Sequence, residues 1–264
     1  MEWWLAYLGI GIAVGFLAGL LGIGGGAITV PLLVWALGAQ ALPAEHVMRL
    51  ALGTSMAVIF FTSLSSMRAH QQRGAVDWSI VRAMAPGILA GSFGAALAAA
   101  YIPTRGLALI FTVLAFYAAV QMLVEFRPAP SRGLPGPVGL FSAGAGIGVA
   151  ASLFAAGGAF LTVPFLAWCN LPIRRAIGTA AGIGFPIALA GTAGYVIQGL
   201  RTDGLPPATF GYVYLPALVL IVVASMSMAP IGARTAYRVP VKALRIVFAI
   251  LIGAMALRTL ATLW

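Results

Sequence analysis

Carboxylates are scarce in this chain of 264 residues: five Asp and Glu in all, against fifteen Lys and Arg, in a sequence only 8% charged. A soluble fold of this length needs a polar shell, so the scarcity excludes the ordinary globular class. The five acids, Glu2, Glu45, Asp77, Glu125 and Asp203, all fall near the ends of apolar runs. No carboxylate is therefore left deep in a membrane to shuttle a proton. Cysteine occurs once, at Cys169, which excludes an intrachain disulfide, and the two histidines, His46 and His70, are too far apart in sequence to read as a metal site. The alternating ten-residue strands of a closed β-barrel are missing as well. So are the basic residues of a secretory signal: Glu2, Trp3 and Trp4 stand in their place, and the N-terminus reads as a retained first helix.

What the chain has in excess is apolar sequence, 62% of its residues. Long apolar stretches run from Trp3 to Gly38 (interrupted), Val47 to Met67, Trp78 to Tyr101, Gly106 to Val124, Val138 to Cys169 (interrupted), Ile177 to Gly199, Tyr212 to Ile231 and Ala243 to Leu263. Most reach the roughly 18 to 20 residues that a spanning helix needs, so the expected class is an all-α polytopic membrane protein of the cell (inner) membrane, with lipid as its surroundings. The net charge of +10 does not imply nucleic acid, because the basic residues cluster at the ends of the spans, where they set orientation.

The sequence also repeats. "GFLAGLLGIGGGAITVPLL" (Gly15 to Leu33) aligns without gaps onto "GVAASLFAAGGAFLTVPFL" (Gly148 to Leu166) at an offset of 133, and "RLALGTS" (Arg49 to Ser55) resembles "RRAIGTA" (Arg174 to Ala180). Two related halves, 1–126 and 137–264, are expected around a linker at 127–136 within "EFRPAPSRGLPGP". Trp3 to Gly38 would be about 54 Å long as one helix, too long for a single straight crossing of a core of about 30 Å. The glycines allow the chain to turn back there, either as a re-entrant hairpin or as a crossing with a short return. With such turn-back segments one side collects Arg68, Arg73, Arg82, Arg127, Arg132, Arg174, Arg175, Arg234, Arg238, Lys242 and Arg245, 11 of the 15 basic residues; single crossings would divide them almost evenly. The charge bias favours turn-back segments, both termini outside the cytoplasm, and halves inserted upside down relative to one another. Inverted repeats with interrupted helices are a transporter signature.

The breaks suggest a site. Thr29 and Thr162 are expected to serve as N-caps, with Pro31 and Pro164 in the first turn of short helices whose starts lie near the midplane. Such a start offers free N–H groups and partial positive charge to an anion, and glycine lets the anion approach. Thr54, Ser55 and Thr179 are expected at the same depth, with hydroxyls to donate. Arg49 and Arg174, at matching positions, read either as anion attractors at the two entrances or as interface anchors. "GILAGSFGAALAAA" (Gly87 to Ala100) reads as helix packing. "GIGGG" is not a nucleotide loop, since no P-loop lysine or strand accompanies it.

The duplicated glycine break followed by "TVP", the "GTS" and the loop "RAHQQRGAVDW" (Arg68 to Trp78) together resemble the TauE/SafE family of sulfite exporters and related anion transporters. The resemblance implies a multi-pass transporter of small sulfur oxyanions or organosulfonates such as sulfite, thiosulfate or sulfoacetate. It implies that Gly24, Gly25, Thr29, Thr54, Ser55, Gly157, Gly158, Thr162 and Thr179 line the substrate site, without cofactor or metal. Ala180 stands where the first half has Ser55, so the two half-sites differ. The expected mechanism is alternating access, with a passive anion channel as the alternative. An enzyme lacks support, because no nucleophile, base and metal set falls within the spans. A homo-oligomer and a coupling ion, proton or sodium, are compatible with the pattern and not specified by it.

Overall fold

The computed structural model describes residues 3–21, 25–40, 42–124, 133–236 and 241–263. Gly24, residues 127–132 of the expected linker, the acids Glu2 and Glu125, and the basic residues Arg127, Arg132 and Arg238 lie outside the described residues. Among those described, the chain forms ten helices and one two-stranded hairpin: α1 (Trp3–Leu21), α2 (Gly26–Ala39), α3 (Ala44–Gln72), α4 (Trp78–Ala98), α5 (Thr104–Val124), α6 (Pro137–Phe154), α7 (Ala159–Trp168), α8 (Ile173–Gly199), β1 (Thr209–Phe210), β2 (Val213–Tyr214), α9 (Leu215–Ala236) and α10 (Val241–Leu263). Among the described residues, five helices are long and apolar enough to cross a membrane, the longest being Ala44–Gln72 and Ile173–Gly199. This is an all-α polytopic membrane protein.

Both interrupted runs split into two helices. α1, at 19 residues, and α6, at 18, are each about 28 Å long, close to the hydrocarbon thickness. α2, with 14 residues, is about 21 Å long and α7, with 10, about 15 Å. The expected span from Tyr212 begins later, because Tyr212 to Tyr214 belong to the hairpin turn and β2. Gly211 takes a left-handed φ of 58° there, and the N–H of Tyr212 donates to the Tyr195 carbonyl at 3.3 Å.

Packing is reciprocal along the chain. α1 lies against α9 and α6 against α4, while α3 packs on α8 and α5 on α10. Small residues permit this closeness. Gly11 and Gly15 of α1 sit on the backbone of Ile221 and Ser225 in α9, and Gly144 and Gly148 of α6 sit on Met84 and Ile88 in α4. Segments 1–126 and 137–264 are thus interleaved rather than set side by side. The buried centre is formed by α3 and α8 with the inner faces of α2 and α7: Leu33, Leu37, Met48, Leu52, Met56, Ile59, Ile183 and Ile187 are all buried.

Candidate functional site

Each break is made by a glycine in left-handed conformation, Gly25 at φ 63° before α2 and Gly158 at φ 74° before α7. L side chains avoid that region, which is why glycine stands at both positions. These glycines, not the threonines, are the N-caps. Thr29 and Thr162 lie four residues into their helices, and Pro31 and Pro164 follow inside the second turn rather than in the first. The expected cap assignment is corrected on this point. The left-handed turn starts the helix three residues before Thr29, so the Thr29 hydroxyl donates back to the Gly25 carbonyl at 3.0 Å instead of accepting a backbone N–H. Each helix start still has N–H groups without an intrahelical acceptor.

The two breaks meet. Gly26 packs directly on the carbonyl of Ala155, itself left-handed at φ 46° as it caps the end of α6. Ile59 of α3 fills the angle between them, with Cδ1 against Gly26 and Cγ2 toward Gly157. Ser55 and Ser63 lie one turn to either side of Ile59 and so share its face. Ser55 is fully buried, and its hydroxyl has no partner. From α8, Gly184 approaches the Gly157 carbonyl, and the next residue, Phe185, stacks on Phe60 of α3 with ring centroids 5.2 Å apart. Gly25, Gly26, Gly157, Ser55 and Ile59 therefore surround one locus.

Thr54 and Thr179 have a different setting. The Thr54 hydroxyl accepts the N–H of Tyr214 at 2.9 Å, just before α9, and the Thr179 hydroxyl accepts the N–H of Asp77 at 3.0 Å, just before α4. Beside them Gly53 touches the Tyr212 carbonyl and Gly178 the Ala75 carbonyl. Each threonine of one half thus latches the start of a helix belonging to the other. Each hydroxyl keeps its own proton available to donate.

Residues 7–259 match the sulfite exporter TauE/SafE family. The chain belongs to that family. Its relatives agree: a "probable membrane transporter protein" of Haemophilus influenzae is 33% identical over 250 residues, covering 94% of each chain. Another of that description from Methanocaldococcus jannaschii is 25% identical, covering 94% of this chain and 92% of its own. "Probable membrane transporter protein YdhB" of Bacillus subtilis is 26% identical over 227 residues. No solved structure matches. The protein is a multi-pass membrane transporter.

The aligned arginines of this TauE/SafE protein are not alike. Arg49 is spent on helix ends: Nε and Nη2 donate to the carbonyls of Ala99, Ala100 and Ile102 at 3.3, 3.1 and 2.9 Å, and Nη1 to Glu45 at 2.9 Å. It closes the C-terminus of α4, where a positive charge also suits the helix dipole. Arg174 is exposed at the start of α8. Replacing Arg49 by alanine is expected to cost about 2 kcal/mol or more, read as an earlier thermal unfolding in detergent. Arg174→Ala is expected to leave the melting temperature unchanged, and equal losses in both would refute the division of roles.

The acids that are described sit at helix ends as expected: Glu45 in the first turn of α3, Asp77 at the N-cap of α4, and Asp203 in the loop after α8. Asp77 does more than the sequence revealed. One carboxylate oxygen accepts from the Ser79 hydroxyl at 2.6 Å and the Ser79 N–H at 3.2 Å, and the other accepts from Arg175 at 2.9 Å. The Ser79 hydroxyl above all, then the N–H groups of Ile80 and Ser79 and the Arg175 charge, hold the carboxyl below its ordinary value against the opposing effect of partial burial. A carboxyl depressed in the folded state stabilises the fold above its unfolded pKa, and that contribution is lost as pH falls through the folded value. Asp77→Asn is therefore expected to melt earlier than wild type at pH 7, with the gap closing below about pH 4. A gap independent of pH would remove the ionised form from the argument.

Sequence reasoning missed Ser152 of α6 and Ser92 of α4, both fully buried. Pairing the repeats hid Ser152, because the residue aligned with it is Gly19. A serine three residues before a helix break in an apolar run was the available signal. Among the described residues no group of His, Cys, Asp and Glu could hold a metal.

Proposed function

We propose that this TauE/SafE protein is a secondary transporter of a small sulfur-containing anion, such as sulfite, thiosulfate or sulfoacetate, working by alternating access. The observation that carries the reading is the meeting of the two broken segments, Gly26 against Ala155, which sets the start of α2 against the break that precedes α7. Two helix N-termini with glycine caps favour an anion there through unpaired N–H groups and partial positive charge. Gly24, Gly25, Gly157, Gly158, Thr162, Ser55 and the protons of Thr54 and Thr179 are the proposed donors and lining, whereas the Thr29 hydroxyl, already bonded to the Gly25 carbonyl, holds the start of α2 in shape and is not a donor to the substrate. Arg174 is the proposed attractor at one entrance. The reciprocal packing and the charge bias support inverted repeats, 1–126 and 137–264, with both termini on the non-cytoplasmic side of the inner membrane. Movement of the halves would separate Phe60 from Phe185 and the two breaks from each other. The described acids lie at helix ends, so a coupled proton would be carried by the substrate itself.

The test is uptake of radiolabelled sulfite, thiosulfate and sulfoacetate into proteoliposomes, with and without an imposed pH gradient, beside protein-free vesicles. Saturable uptake driven above equilibrium by the gradient is the expected result. Flux without saturation would make the protein a channel, and movement of none of the three anions would overturn the sulfur-anion reading.

A further inference from the structure

The two breaks match in sequence but not in their unsatisfied groups. Thr29 of the first break is bonded to the Gly25 carbonyl. Thr162, at the matching position of the second, is equally buried, yet its hydroxyl has no partner. Ser152, three residues before the α6 cap at Ala155, is fully buried with its hydroxyl also unpartnered, although its carbonyl is engaged by the N–H of Ala155 and the hydroxyl of Tyr195. Leaving a hydroxyl buried without a partner is costly, so a group in this place is expected to receive a ligand.

Ser152 stands in the last turn of α6 before the break, and Thr162 is the fourth residue of α7 after it. Gly158, the cap of α7, packs on Ile187 of α8, and the Ser152 hydroxyl lies beside Gly191, one turn further along the same face. A side-chain carbon at Gly191 would stand 3.2 Å from the Ser152 oxygen and 3.1 Å from that of Ser92, whose own proton goes to the Ile187 carbonyl at 2.8 Å. The remaining space beside Gly191 is filled by the Met56 methyl, the end of a flexible chain that can leave. Accessibility follows the same asymmetry. Residues 25–31 are all buried, whereas Gly157, Ala159 and Phe160 at the second break keep partial exposure.

We infer that the anion is seated by the second break alone, with the Ser152 and Thr162 hydroxyls and the first N–H groups of α7 as its donors. The first break is the fixed wall against which that seat is built. The inference rests on the anion reading above and narrows it to one half of the chain. Ser152 is a binding residue without a counterpart in the first half, and the asymmetry allows one anion per chain instead of two.

The experiment measures equilibrium binding of radiolabelled sulfite and thiosulfate to the full chain in lipid nanodiscs, for wild type, Ser152→Ala, Ser152→Cys, Thr162→Val and Thr29→Val, with the melting temperature of each apo variant. A hydrogen bond to a charged ligand removed from the site weakens binding about tenfold or more. The three variants at Ser152 and Thr162 are expected to show that loss while melting no earlier than wild type, because their hydroxyls hold nothing in the apo fold. Thr29→Val is expected to bind within about twofold of wild type, since the hydroxyl it removes is already bonded within the chain. Wild-type affinity in the Ser152 and Thr162 variants, an equal loss in Thr29→Val, or an earlier melt of apo Ser152→Ala would overturn the single-break seat and leave the sulfur-anion reading standing. No binding of either anion by wild type would overturn both.

Discussion

Gly26→Ala is expected to abolish transport and to lower stability by about 3 kcal/mol, among the larger penalties for overpacking a buried site. The added methyl would be driven into the carbonyl of Ala155 and lie 2.5 Å from the Ile59 Cδ1. Ile59 can turn aside, but the carbonyl cannot. Ala155 is already in left-handed conformation, and its N–H and that of Ala156 are bonded back to Ser152 and Ala151. The two breaks would have to part, which removes the locus that Gly25, Ser55 and Gly157 surround. Gly38→Ala in the same helix is the control, since nothing lies within 4 Å of its added carbon. That variant should match or exceed wild type, alanine being the better helix former. Melting temperature and proteoliposome uptake measured together decide the matter. A Gly26→Ala protein that melts and transports as wild type would mean that the breaks need not touch.

Thr54→Val and Thr179→Val carry the second large effect. Valine keeps the shape and removes the acceptor, leaving the N–H of Tyr214 or Asp77 unpaired, at a cost of about 1–2 kcal/mol each. The two latches lie at separate helix starts, α9 and α4, and share no partner. Their losses should therefore add in the double variant. Serine restores the acceptor and the proton together, so Thr54→Ser and Thr179→Ser are expected to recover stability. Uptake separates the two roles of the hydroxyl. Valine variants that melt earlier with an unchanged KM would confine the threonines to latching helices. A raised KM would add the substrate to their partners, and wild-type melting in both would refute the latch.

The helices of this protein were legible because a spanning helix is specified locally, by an apolar run of sufficient length. The breaks were legible for the same reason, since left-handed backbone such as that at Gly25 and Gly158 favours glycine locally. The few carboxylates at span ends follow from the cost of burying charge. Partner identity, by contrast, is not a local property. A threonine hydroxyl can donate once and accept twice, and Thr29, Thr54 and Thr162 use that capacity in three ways: on a carbonyl of their own helix, on an N–H far along the chain, and on nothing. Arg49 and Arg174 align in sequence, yet one closes the end of α4 and the other stands exposed. Ser152 had no matching residue to draw attention to it. Composition, periodicity and the repeated break thus determine a polytopic helical protein with two interrupted segments. That the segments meet at Gly26 and Ala155, and which hydroxyls remain free there, was decided only when interleaved helices brought distant residues within hydrogen-bonding reach.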